Sequence, residues 1–188
     1  GMSDGITYGT FETVNIDLGS GSDTFTIGST HTGVTNLTTN DGEDTVHLLS
    51  SSGETNINTG ANADTINIQS IAGATTVNAG DDADTINVGS LSPATGGNVN
   101  AISALLTVNG DGGSDTLNVD DTGDLADNTG NLTDTMLTGL GMSDGITYGT
   151  FETVNIDLGS GSDTFTIEST HSSVTNLNSN DGADTINV

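Results

Sequence analysis

The sequence predicts an all-β chain folded as a parallel β-solenoid, with about 20–23 residues per coil and loop insertions. Three observations predict it. First, Asp-Thr followed by an apolar, polar, apolar triplet recurs from end to end, beginning at Asp23, Asp44, Asp64, Asp84, Asp115, Asp163 and Asp184. Second, the residue seven places before each of these Asp is always apolar: Ile16, Leu37, Ile57, Val77, Val108, Ile156 and Leu177. Third, the first Asp-to-Asp spacings are 21, 20 and 20 residues. A unit that short cannot bury a core alone, but stacked units can.

Each unit divides in the same way. The apolar residues fall two and four places after the Asp, as in Ile66 and Ile68, with Thr or Asn between them and His47 the exception. Alternation of β-branched apolar and polar residues marks a strand with one face inward. A second strand precedes the Asp, around the apolar residue at minus seven. Glycine-rich turns join the two: Gly19-Ser20-Gly21-Ser22-Asp23, Asn40-Asp41-Gly42-Glu43-Asp44 and Gly80-Asp81-Asp82-Ala83-Asp84 are examples. The expected order is therefore strand, turn, strand, connecting loop. Stacking like on like, about 4.8 Å per coil, would put Asp23, Asp44, Asp64 and Asp84 in one file.

Two stretches interrupt the short unit. Gly89 to Ser103 carries Pro93, the one proline, and its end, Ala101 to Leu106, is expected to make a single helical turn. Asp120 to Gly130 is acidic and turn-rich, and both read as loops off the stack. A spacing of 48 residues between Asp115 and Asp163 suggests a degenerate rung, with Met136–Thr138 and Ile146–Tyr148 flanking a turn. Above the short unit lies a long one. Gly1 to Ile27 is identical to Gly141 to Ile167, so one continuous solenoid domain, 1–188, holds a 140-residue repeat and the opening of a second at 141.

Composition limits function. There is no Lys and no Arg against 26 Asp plus Glu, a formal charge of −26. Nucleic-acid backbone binding needs cationic side chains and is excluded as a partner class. No run of about 18 apolar residues exists to insert in a membrane. There is no Cys, so no disulfide staples the chain. A chain of one charge sign repels itself, and bound cations would relieve that repulsion.

The turn-plus-strand segments resemble the nonapeptide G-G-x-G-x-D-x-U-x of repeats-in-toxin (hemolysin-type) proteins, with U a large apolar residue. Residues 18–26 and 158–166 match it except that Leu18 and Leu158 replace the first Gly. The resemblance covers the turn and second strand of each clear unit. It implies a calcium-binding β-roll, with Ca2+ between successive turns, held by the Asp carboxylate and backbone carbonyls. It makes Asp23, Asp44, Asp64, Asp84, Asp115, Asp163 and Asp184 the candidate metal ligands, with Asp41, Asp81, Asp82 and Asp111 secondary. Calcium takes six to eight oxygen ligands in loose geometry, which such turns can offer. The competing reading is that each Asp accepts hydrogen bonds from turn N–H groups and needs no metal.

No enzyme is expected. His31, His47 and His171 read as surface or loop residues, and no pair of carboxylates is singled out among so many. The outward column Thr24, Thr45, Thr65, Thr85 and Thr116, with Thr26, His47, Asn67, Asn87 and Asn118 beside it, resembles the faces of ice-binding solenoids. Exposed strands favour Thr in any case. The function expected is a structural repeat module of a large extracellular or cell-surface bacterial fibre, adhesin stalk or matrix protein. Its expected partners are neighbouring repeats or end-to-end copies of itself. The alternatives are an ice-binding solenoid and a metal-free self-assembling filament.

Overall fold

A computed structural model describes residues 6–188. The strands come in pairs, one per coil. β1 (Thr13–Asp17) and β2 (Thr24–Ile27) make the first coil, and β3 (Val34–Thr38) and β4 (Thr45–Leu48) the second. β5 (Thr55–Ala61) with β6 (Thr65–Ile68), β7 (Thr75–Asp81) with β8 (Thr85–Val88), and β9 (Leu106–Asn109) with β10 (Thr116–Asp120) make the next three. Odd strands stack in one parallel sheet and even strands in the other. The register is like on like: Ile66 lies beside Val46 on one side and Ile86 on the other. Ile57 likewise sits between Leu37 and Val77.

That register follows from burial. A slip by one residue would turn every apolar side chain outward, so the alternation fixes the pairing. Leu37, Val46, Ile57, Ile66, Val77 and Ile86 are fully buried between the two sheets. The outward positions carry Asn, and these amides bond to each other up the stack. In one sheet Asn87 Nδ2 donates to Asn67 Oδ1 (2.9 Å), Asn118 to Asn87 (2.8 Å), Asn155 to Asn118 (2.8 Å) and Asn176 to Asn155 (2.8 Å). In the other, Asn109 donates to Asn78 and Asn78 to Asn58, both at 2.8 Å. Asn is a poor strand former alone; a ladder of amides 4.8 Å apart supplies each with a donor and an acceptor.

Three sequence expectations are corrected here. Residues 101–106 form no helical turn: Ile102 bridges in parallel to Ile71 and Leu106 opens β9. A buried Ile aligned with the return turn below keeps this stretch extended. The expected degenerate rung is a hairpin. β11 (Thr129–Leu132), β12 (Met136–Gly139) and β13 (Ile146–Gly149) share the odd-strand sheet, with β12 antiparallel to both neighbours. The β12–β13 turn is as long as turns that cross between the sheets, but positive φ at Gly139 (82°), Leu140 (52°), Gly141 (80°) and Gly145 (84°) folds it back on the same sheet. Finally, Asp120 to Gly130 does not all loop off the stack, since Asp120 belongs to β10 and Thr129 opens β11.

That hairpin has a consequence for the second copy. β14 (Thr153–Asp157) has the sequence of β1, and β15 (Thr164–Ile167) that of β2. Yet β14 joins the even strands beside β10, and β15 joins the odd strands beside β11. β16 (Val174–Asn178) and β17 (Thr185–Asn187) follow in the exchanged sheets. The full orders are β1-β3-β5-β7-β9-β13-β12-β11-β15-β17 and β16-β14-β10-β8-β6-β4-β2.

Candidate functional site: two files of carboxylates

Each motif Asp closes a turn at the entry to its strand, and the stack aligns these turns. The backbone N–H of Asp23 donates to Oδ1 of Asp44 (2.7 Å), that of Asp44 to Asp64 (2.7 Å), of Asp64 to Asp84 (2.7 Å) and of Asp84 to Asp115 (2.9 Å). The same residues are tied a second time, because the N–H of the following Thr donates to the carbonyl of the Asp one coil earlier: Thr65 to Asp44 and Thr85 to Asp64, both 2.9 Å. The carboxylate thus bonds between coils rather than within its own turn. This differs from an Asx turn, but it meets the same need, an acceptor for a buried N–H.

The file ends on a residue outside the motif. The N–H of Asp115 donates to Oε2 of Glu152 (2.7 Å). Glu152-Thr153-Val154-Asn155-Ile156 has the pattern of Asp115-Thr116-Leu117-Asn118-Val119 with Glu for Asp, a signal the sequence carried. A second file runs elsewhere on the stack, where Asn128 N–H donates to Asp163 Oδ1 (2.8 Å) and Asp163 N–H to Asp184 Oδ1 (2.9 Å). The structure therefore gathers Asp23, Asp44, Asp64, Asp84 and Asp115 in one file, and Asp163 and Asp184 in another. Asp41, Asp81, Asp82 and Asp111 lie on the outer rim of the turns, exposed.

Electrostatics set the files apart from that rim. Asp44, Asp64, Asp84, Asp115 and Asp163 are at most 2% exposed, and the Oδ2 of each is buried with no hydrogen-bond partner. Burial pushes Asp64 up to about 6, against the N–H of Asp44 that favours its charged form. Burial pushes Asp84 up to about 7, with Asp64, Asp115 and Asp82 adding repulsion. Asp115 is raised by burial and by the charges of Glu152 and Asp111. Asp121, unmarked in the sequence, behaves alike: buried, Oδ1 taking the N–H of Val99 (3.0 Å), Oδ2 unpartnered, raised by burial to about 7. Its neighbour Asp124 is lowered: burial opposes its charge, but the N–H of Ala126 and the amides of Asn100 and Asn128 outweigh it.

Glycine makes the close stacking possible. A Cβ on Gly80, at φ 107°, would stand 1.8 Å from the carbonyl oxygen of Gly60. Gly60, at φ 105°, meets Asn40 in the same way.

No family model matches this chain, and neither a curated protein nor a solved structure matches it. Geometry alone must therefore carry the functional reading. Calcium fits the files in part. The orphaned Oδ2 atoms are hard acceptors without a counter-charge, which is what the ion seeks. Against this, every Oδ1 cited is held by an N–H, and no group of three His, Cys, Asp or Glu that could hold a metal forms among the described residues. Turn carbonyls are also engaged: Asp41 takes the N–H of Gly21 (2.7 Å) and Ala61 that of Gly42 (3.0 Å). The arrangement offers one free oxygen per coil rather than a closed cage.

Proposed function

We propose that the chain is a structural repeat module of a large extracellular fibre, adhesin stalk or matrix protein. The observation that carries this reading is the ladder: core and carboxylate file repeat coil by coil, with register kept from β1 to β10. A stack of that kind resists bending because each coil is bonded to the next along its whole width. The −26 charge keeps such rods apart from one another in solution.

Calcium enters as a stabiliser of the files. Asp44, Asp64, Asp84, Asp115 and Asp163 would hold it through Oδ2, one oxygen per coil. The ion's role would be to neutralise buried charge. Circular dichroism under calcium titration, with chelator reversal, tests this. A gain of β signal or of thermal midpoint with calcium, reversed by chelator, is the expected result. No change in either direction removes the metal and leaves a metal-free rod.

The ice-binding alternative gains no support from the outward columns. Their Asn amides are bonded to one another, and so are not free to order water in an ice-like array.

A further inference from the structure

Identical residues have opposite fates in the two copies of the long repeat. Ile146, Tyr148 and Phe151 are 0%, 3% and 3% exposed, whereas Ile6, Tyr8 and Phe11 are 73%, 49% and 57% exposed. The latter three line an open apolar groove with Val14, Ile16 and Phe25. In the second copy the equivalent groove is covered by the β9–β10 coil and by β11: β13 pairs with β9, β14 with β10, and β15, which carries Phe165, with β11.

The uncovered groove already has the covered shape. Thr10 stands at φ 59° and Thr150 at φ 61°, each hydroxyl donating to the preceding Gly carbonyl (2.7 and 2.6 Å). Tyr8 meets His31 edge-on with ring centres 6.3 Å apart, and Tyr148 meets His171 likewise at 6.0 Å. β1 pairs with β3 in the register in which β14 pairs with β16. Its polar groups are matched as well. Glu152 accepts the N–H of Asp115 and Asn155 donates to Asn118; Glu12 and Asn15 stand at the same positions.

We infer that the Ile6–Phe25 groove is the seat of the β9–β10 coil and following β11 strand of another copy of the 140-residue unit, joined ahead of it, and that each such joint exchanges the two sheets. The occupant is specified by its chemistry. It presents Leu106, Val108, Leu117 and Val119 as an apolar edge, with the Asp115 N–H and the Asn118 side-chain Oδ1 placed for Glu12 and Asn15. Both surfaces are acidic overall, so apolar contact and strand pairing hold the joint. The exchange moves the carboxylate file to another edge at every joint, and a second joint restores it. The Gly89–Ser103 loop is then displayed in alternating orientations along an array. This inference rests on the fold and stands whether or not the array serves as a fibre.

Two measurements test it on the full chain. The first extends the chain at its N-terminus with residues 101–140 of its own sequence, the segment that already runs into residue 141. That segment adds no Tyr or Trp, so Tyr8 and Tyr148 remain the only such fluorophores. Acrylamide is expected to quench one of the two in the unextended chain and neither in the extended one. Equal quenching in both overturns the seat. Leu117→Asp with Val119→Asp in the added segment should restore quenching, showing that coverage and not general stabilisation protects Tyr8.

The second uses the absence of native Cys. Asn118→Cys with Asn155→Cys is expected to oxidise readily to a disulfide, and Thr107→Cys with Asn155→Cys is not, because Thr107 lies beside Thr147 in the other sheet. All three substituted positions face outward, so circular dichroism can establish that both variants fold. Any other pattern, including no disulfide in either, overturns the exchange.

Discussion

At Asp84 one oxygen holds the N–H of Asp64 while the other is buried with no partner. That asymmetry makes the residue pH-sensitive in a direction that can be worked out. Asp64, Asp84 and Asp121 titrate near 6, 7 and 7 in the fold, against 3.8 when free. Between those values the folded chain binds more protons than the unfolded one. Stability from this source is complete below pH 3.8 and is lost as pH rises through 6 to 7. The denaturation midpoint is therefore expected to be higher at pH 5 than at pH 8 in calcium-free buffer. Asp84→Ala should cost about 1–3 kcal/mol at pH 5, where it strands the Asp64 N–H. The cost should shrink at pH 8, where the substitution also removes a buried charge, so the variant's pH dependence is flatter than the parent's. Urea titration of both proteins at the two pH values checks this. Glycine gives a second contrast. Gly80→Ala, with a positive φ and the Gly60 carbonyl in its way, should destabilise by at least about 2 kcal/mol. Gly19→Ala, which meets nothing within 4 Å, should stay within about 0.5 kcal/mol of the parent by the same titration.

At the scale of the strand, apolar alternation and amide ladders set the register together. Ile66→Ala, at a fully buried position between Val46 and Ile86, should cost about 2–5 kcal/mol. Asn87→Ala breaks the bonds to Asn67 and Asn118, and should cost about 1 kcal/mol with no cavity involved. Thermal denaturation of each variant measures both. The strands around each Asp were legible in the sequence because the alternation and the Asp-Thr mark coincide there. The hairpin β12–β13 was not. Met136-Leu137-Thr138 and Ile146-Thr147-Tyr148 have strand character, but nothing local says that they pair with each other instead of crossing the stack. The same limit hid the role of Glu152. Its Glu-Thr-Val-Asn-Ile serves as either strand of a coil, and only the neighbour below decides which. The carboxylate files were legible as files; that Oδ1 bonds the next coil's N–H was not, since the bond joins residues 20 or more apart in sequence.

The whole molecule is a stack without a cationic side chain, so its charge acts on the assembly as a sum. Added monovalent salt screens self-repulsion over about 10 Å at 0.1 M, the rise of about two coils of the stack. The thermal midpoint is expected to rise with NaCl, which calorimetry at several salt concentrations measures. Among the described residues no helix is long and apolar enough to cross a membrane. Like-on-like stacking is the claim on which the core, the files and the joint between copies all depend. NMR couplings transmitted through hydrogen bonds read it directly. The account predicts couplings from the Thr65 nitrogen to the Asp44 carbonyl and from the Thr85 nitrogen to the Asp64 carbonyl. Couplings linking β6 instead to β5 or β7, the strands that flank it in sequence, would contradict it.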